Sequence, residues 1–179
     1  MKRGLPTPHA RAAHVKREPR ALASVGGLWL SAYVCVWGGP VWAVERCEIE
    51  FVREQQRVGH YAVEIAATEE ARRVSLMGRT EMAVGRGMLF DFGRTRSLAM
   101  WMQNTVLSLD MVFVREGGAV SDIVAATVPL STALITPRAS VRYVIELNAG
   151  EAVRLKLHDR LRITTPSTAC QSVRIPLAD

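Results

Sequence analysis

GMLFDFGRTRSLAMWMQNTVLSLDMVFVR, residues 87–115, is the stretch whose reading decides the fold. Gly87–Phe92 is short, apolar and bounded by turn-forming residues, as a buried strand is. Ser97–Met102 alternates, with Leu98, Met100 and Met102 on one face and Ala99 and Trp101 on the other, and so predicts a second strand. Leu109–Arg115 is apolar almost throughout, which predicts a strand covered on both faces. Between the last two lies a polar elbow, Gln103-Asn104-Thr105, and within the third lies one acid, Asp110. Polar groups set among apolar strands cost free energy unless hydrogen-bonded, so these residues call for partners or a task.

Outward from that stretch the same reading continues. Ile49–Arg53 and His60–Ala66 alternate as strands around a polar Glu54-Gln55-Gln56 turn. Thr68-Glu69-Glu70 opens a helix with a capping hydroxyl and two acids on the positive end of its dipole. Ala71–Met77 continues that helix, with Arg72-Arg73 outward and Gly78 as its stop. Glu116-Gly117-Gly118 is a hairpin turn returning the chain as a strand over Ala119–Val128. Val141–Asn148 has the cleanest alternation, with Val141, Tyr143, Ile145 and Leu147 on one face and Arg142, Val144, Glu146 and Asn148 on the other. Any pairing of Arg142 or Glu146 is therefore cross-strand. A helical turn over Gly150–Leu155 and a closing strand over Arg160–Thr164 complete the set. Seven or eight short strands with one or two short helices predict a mainly β protein, closed as a compact antiparallel sandwich or barrel.

The 179 residues carry a net charge of +6, but it is unevenly placed. Lys2, Arg3, Arg11, Lys16, Arg17 and Arg20 face Glu18 alone within residues 1–43, so the remainder is nearly neutral. A nucleic-acid surface needs clustered Lys and Arg on the folded part, so the charge distribution argues against nucleic acid, and none is expected as a partner. The basic leader is followed by an uncharged run, LWLSAYVCVW (28–37), and by Val41-Trp42-Ala43. Basic segment, short apolar segment and small-residue site predict a cleaved signal peptide over 1–43, whose apolar run is about half the ~20 residues of a membrane span. Membrane contact is then limited to export, and the product is periplasmic or extracellular. The expected organisation is a lead-in over 44–57, one β-domain over 58–164 and a tail over 165–179. Removal of Cys35 leaves Cys47 and Cys170, an even pair that predicts a disulfide in an exported chain.

Several ordered motifs resemble one family. They are Arg72-x-x-Ser75-Leu76-Met77-x-Arg79, Gly87-Met88-Leu89-Phe90, Trp101-Met102-x-Asn104-Thr105-x-x-x-Leu109-Asp110, Pro129-Leu130-Ser131 and Tyr143–Gly150. Together they resemble the uncharacterised domain-of-unknown-function 192 family from about residue 58 to 164. The resemblance implies a small, mostly β, jelly-roll-like fold, often exported, and implies no reaction. Ser75 stands where the family usually has Gly, Ser108 where it has Pro, Gln103 where Lys is common and His158 where Gly is common. The family pattern also implies that Arg79 and Glu81 lie over the same surface as the elbow.

The candidate site is therefore Arg79, Glu81, Trp101, Asn104, Thr105 and Asp110. Trp101 beside amide and hydroxyl groups suits a small or saccharide-like ligand, although a core tryptophan and an Asx-type turn use the same residues. Asp110 is a candidate catalytic general base, with Arg79 and Asn104 orienting a substrate as in a hydrolase, or else a structural acid held by backbone donors. A non-catalytic envelope interaction module is the remaining alternative. Six methionines lie between Met77 and Met111 and evoke copper(I), but methionine more often fills a core. His60-x-x-x-Glu64 is a weak metal pattern. There is no nucleophile elbow, phosphate loop or metal-spaced cysteine pair, so neither a metal nor a cofactor is expected.

Overall fold

The computed structural model describes residues 45–156, 161–165, 170 and 175. The proposed signal peptide and most of the 165–179 tail lie outside the described residues, as does His158. In order the elements are β1 (Arg46–Arg53), β2 (Gln56–Ala66), α1 (Glu69–Val74), β3 (Arg86–Arg96), β4 (Leu109–Val114), β5 (Val120–Val124), β6 (Val141–Asn148), α2 (Glu151–Arg154) and β7 (Arg162–Thr164). The strands form a mixed seven-stranded sheet in the order β5-β4-β6-β3-β2-β1-β7. Five of the six pairings are antiparallel; β2 and β3 run parallel because α1 and its following loop carry the chain across between them.

The sheet curls until its two edges meet at one end. Ala119, just before β5, bridges Arg162 at the start of β7, with Val120 N–H to Leu161 O at 2.9 Å and Ile163 N–H to Gly118 O at 2.7 Å. A half-barrel results, and these bonds satisfy part of each exposed edge. Its two faces carry separate apolar clusters, because side chains alternate along each strand. Phe51, Tyr61, Val63, Leu89, Tyr143, Ile145 and Ile163 belong to one. Ala66, Met88, Phe90, Met102, Met111, Phe113 and Val144 belong to the other, roofed by the segments that follow α1 and β3. β4 and β6 lie next to each other in mid-sheet, so both are buried on both faces.

Local chemistry sets the element ends. The Thr68 hydroxyl caps α1 by accepting the Ala71 N–H at 3.1 Å, with Glu69 and Glu70 in the first turn. The helix stops at Ser75, three residues before the expected Gly78, and Ser75 takes φ +50° and ψ −134° to turn the chain. Gly118, at φ +82°, closes the β4–β5 hairpin. Cys47 and Cys170 form a disulfide across a sequence separation of 123, with their Cα atoms 5.3 Å apart.

Two expected elements are corrected. Ser97–Met102 is not a strand of the sheet: its backbone bonds go to the 131–135 loop, with Met100 N–H to Ile135 O and Met102 N–H to Ser131 O both at 2.9 Å. The alternation there reflects one-sided packing over the sheet, burying Met102 and leaving Trp101 48% exposed. Likewise β5 ends at Val124, because Ala126 adopts φ +49° and turns the chain so that Thr127 N–H reaches Leu109 O at 2.8 Å.

Candidate functional site

β6 carries two ionisable side chains into the interior, and the sheet treats them differently. Arg142 and Asp91 are each 5% exposed and pair across β6 and β3, with Nε to Oδ1 at 3.1 Å and Nη2 to Oδ2 at 3.2 Å. Nη1 of Arg142 also donates to Glu116 at 2.8 Å. This is a satisfied buried pair. Four positions along, Glu146 is 2% exposed and has no cationic partner among the described residues. Its carboxylate accepts one long hydrogen bond, from the Ser75 hydroxyl at 3.5 Å. Across the sheet its backbone neighbours are Met88 of β3 and Met111 of β4, so the adjacent strands offer it no charged or hydrogen-bonding side chain at that level. That burial pushes the Glu146 carboxyl up from its usual 4.5 to about 8, the Ser75 bond opposing the shift. At neutral pH Glu146 is a neutral carboxylic acid, able to donate one hydrogen bond as well as accept others.

Glu146 lines a cavity of about 260 Å3 between α1 and the 99–105 segment. Phe90 and Phe92 of β3 form one apolar wall, and Trp101 stands half-exposed at the other side with Gln103. Arg72 and Arg73 come from α1. The sequence places both outward; instead Arg72 turns back, its Nη1 donating to the Asp91 carbonyl at 2.8 Å and its guanidinium stacked 5.2 Å from the Phe92 ring centroid. Arg73 pairs with Glu70 at the surface, 2.6 Å apart. The cavity thus has aromatic sides, a neutral acid at its base and fixed guanidinium charge at its rim.

The six sequence-predicted residues do not converge. Trp101 and Thr105 line this cavity. Asn104 is exposed at φ +56°, which asparagine tolerates better than most residues, and its carbonyl accepts the Gly78 N–H at 3.0 Å. Arg79 and Glu81 line a second cavity, and Arg79 grips Glu64 with both guanidinium prongs.

Asp110 faces neither cavity. It is fully buried, its Oδ1 accepting the Ala126 N–H at 2.7 Å and its Oδ2 the Ala152 N–H at 2.7 Å. Gly150 gives α2 no side-chain cap, so Asp110 supplies one from β4. With both oxygens held and no open face, Asp110 lacks the access that a general base requires, which corrects that reading. The structural alternative describes its environment, although its donors come from neither the elbow nor Arg79.

The metal-evoking patterns resolve into other partners. Met88, Met102 and Met111 are buried in the second apolar cluster, with Met82 and Met100 packed against it. His60 Nε2 lies 2.6 Å from Glu48, away from the Glu64–Arg79 pair.

The chain belongs to the DUF192 family, described as uncharacterized ACR, whose model matches residues 50–164. No curated protein matches it. Among solved structures it resembles one from Sinorhizobium meliloti 1021 described as a candidate transcription regulator, at 39% identity and a TM-score of 0.64, covering 67% of this chain and 93% of that one. It also resembles a protein of unknown function from Novosphingobium aromaticivorans DSM 12444, at 28% identity and a TM-score of 0.64, covering 69% and 88%.

Proposed function

We propose that this chain binds a small, hydroxyl-bearing, saccharide-like ligand in the cavity between α1 and the 99–105 segment. The observation that carries the reading is Glu146, a buried acid with one 3.5 Å hydrogen bond, lining a cavity that Trp101 shares. Buried polar groups are ordinarily satisfied, so a near-orphan carboxyl beside open volume marks a place for ligand hydroxyls. Trp101 supplies a flat apolar face, and the Arg72 and Arg73 guanidiniums disfavour a cationic ligand. The volume, about 260 Å3, lies near the lower end of small-molecule sites and fits one or two sugar-sized rings.

Residues 1–43 act as an export signal in this reading. The Cys47–Cys170 disulfide supports it, since such bonds persist in oxidising compartments. The description of the Sinorhizobium neighbour does not carry over as DNA binding, because five of the six net positive charges lie in residues 1–43.

The test is a thermal-shift and calorimetric screen of neutral sugars and cell-wall fragments. A binding sugar is expected to raise Tm in the wild type and to lose roughly tenfold or more of its affinity in Trp101→Ala and in Glu146→Leu. A blank screen, or unchanged affinity in both variants, removes the reading.

A further inference from the structure

The second cavity, about 240 Å3, opens on the same face of the sheet but has different chemistry. Glu64 of β2, Met88 of β3 and Glu146 of β6 are aligned across the strands, which puts the two acids about 10 Å apart at the backbone. Three guanidiniums reach this cavity: Arg46 at the start of β1, Arg79 on the loop after α1, and Arg86 at the start of β3. Two acids, Glu64 and Glu81, accompany them, leaving an excess of positive charge.

Glu64 is committed to Arg79. Its Oε1 accepts from Arg79 Nη1 at 3.0 Å and its Oε2 from Nη2. That bidentate pair holds the Glu64 carboxyl below the usual range, with lesser help from the fields of Arg46 and Arg86. The fork fixes Arg79 in place while leaving it further N–H groups. Arg46 and Arg86 are exposed. Ala62, a small residue on the same face as Glu64, lines the cavity between the arginines, and Gly87 lines it with backbone alone. The rim is held as well, because Asn148 Nδ2 donates to the Met82 carbonyl at 2.9 Å.

The geometry points to this cleft as an anion site that takes a small molecule through a carboxylate or phosphate group, with Arg46 and Arg86 as its direct partners and Arg79 as a fixed third donor. Guanidinium suits both groups because its planar fork matches two oxygens at once. The site is independent of the Glu146 cavity, whose acid and aromatic walls suit an uncharged ligand.

Titration calorimetry of the full chain at low ionic strength, with inorganic phosphate in one series and citrate in another, tests this and separates the two group chemistries. Saturable binding of at least one anion is expected. It should weaken roughly tenfold in Arg46→Gln or Arg86→Gln and vanish in the double variant. Both arginines are exposed, so the variants should keep the wild-type Tm, and Glu146→Gln should bind the anion as the wild type does. Absence of saturable heat with either anion overturns the proposal, and so does equal affinity in the double variant.

Discussion

Glu146→Gln separates the charge of the cavity floor from its shape. The wild-type carboxyl has a folded pKa of about 8 against an ordinary 4.5 because burial penalises its charged form. A raised pKa on an acid means that the folded state keeps a proton that the unfolded state gives up. Below pH 4.5 both states are protonated and the group is neutral in the balance. Between 4.5 and 8 only the unfolded chain ionises, so each pH unit destabilises the fold by about 1.4 kcal/mol. The loss reaches roughly 3 kcal/mol at pH 7 and about 5 kcal/mol above pH 8, a large share of the ~5–15 kcal/mol of a typical domain. Glutamine has nearly the same shape and does not titrate, so any penalty for its amide is constant with pH. Urea unfolding at half-unit intervals from pH 4 to 9 provides the assay, with the variant-minus-wild-type difference as its readout. That difference should rise by several kcal/mol in favour of glutamine between pH 5 and 8. Subtraction cancels Glu64 and Glu151, whose lowered pKa values act in the opposite direction. A flat difference across this window would show that Glu146 is ionised or hydrated in the folded protein and would refute the argument.

Asp110→Ala should lower stability by about 2–5 kcal/mol, because it strands the Ala126 and Ala152 N–H groups inside the fold; denaturant titration measures the loss. Ligand affinity at the Glu146 cavity should be unchanged in the molecules that remain folded. Ser75→Gly should raise Tm, since a side chain at φ +50° and ψ −134° is strained by roughly 1 kcal/mol or more and the lost bond to Glu146 is long. A lower Tm would mean that the hydroxyl matters more than the backbone. Cys47→Ser should destabilise the fold by about 3–5 kcal/mol by freeing a loop of 123 residues, and wild type under reducing conditions should match it.

Most of the strands were legible because period-two alternation is a local property, and β6 matched its expected bounds, Val141–Asn148. Ser97–Met102 misled for a related reason. Alternation reports that one side is covered, and a segment lying across a sheet is covered on one side just as a strand is. The parallel β2–β3 pairing follows from how the α1 crossover packs, which no short window contains. The family resemblance identified the family but not the geometry of its motif residues: Trp101 and Arg79 belong to separate cavities.

The site was harder to read because its decisive quantity is not burial. Asp110 and Glu146 are both acids in apolar strands, on adjacent strands of the sheet, and both are almost wholly buried. Sequence inspection singles out Asp110, because it sits among Leu109, Met111 and Val112 beside the polar elbow. Its two donors lie 16 and 42 residues away, so their presence could not be inferred from the elbow beside it. Arg142 and Glu146 share one strand, so the partner of each had to come from another; the strand order gave Asp91 to Arg142 and placed methionines opposite Glu146. Two 2.7 Å backbone donors complete the hydrogen bonding of one carboxylate and fix its role as a clamp between β4, the turn after β5 and α2. One 3.5 Å hydroxyl leaves the other acid with hydrogen-bonding capacity facing a cavity. At equal burial, the number of donors aimed at a carboxyl separates an acid that holds the fold from one with capacity left for a ligand.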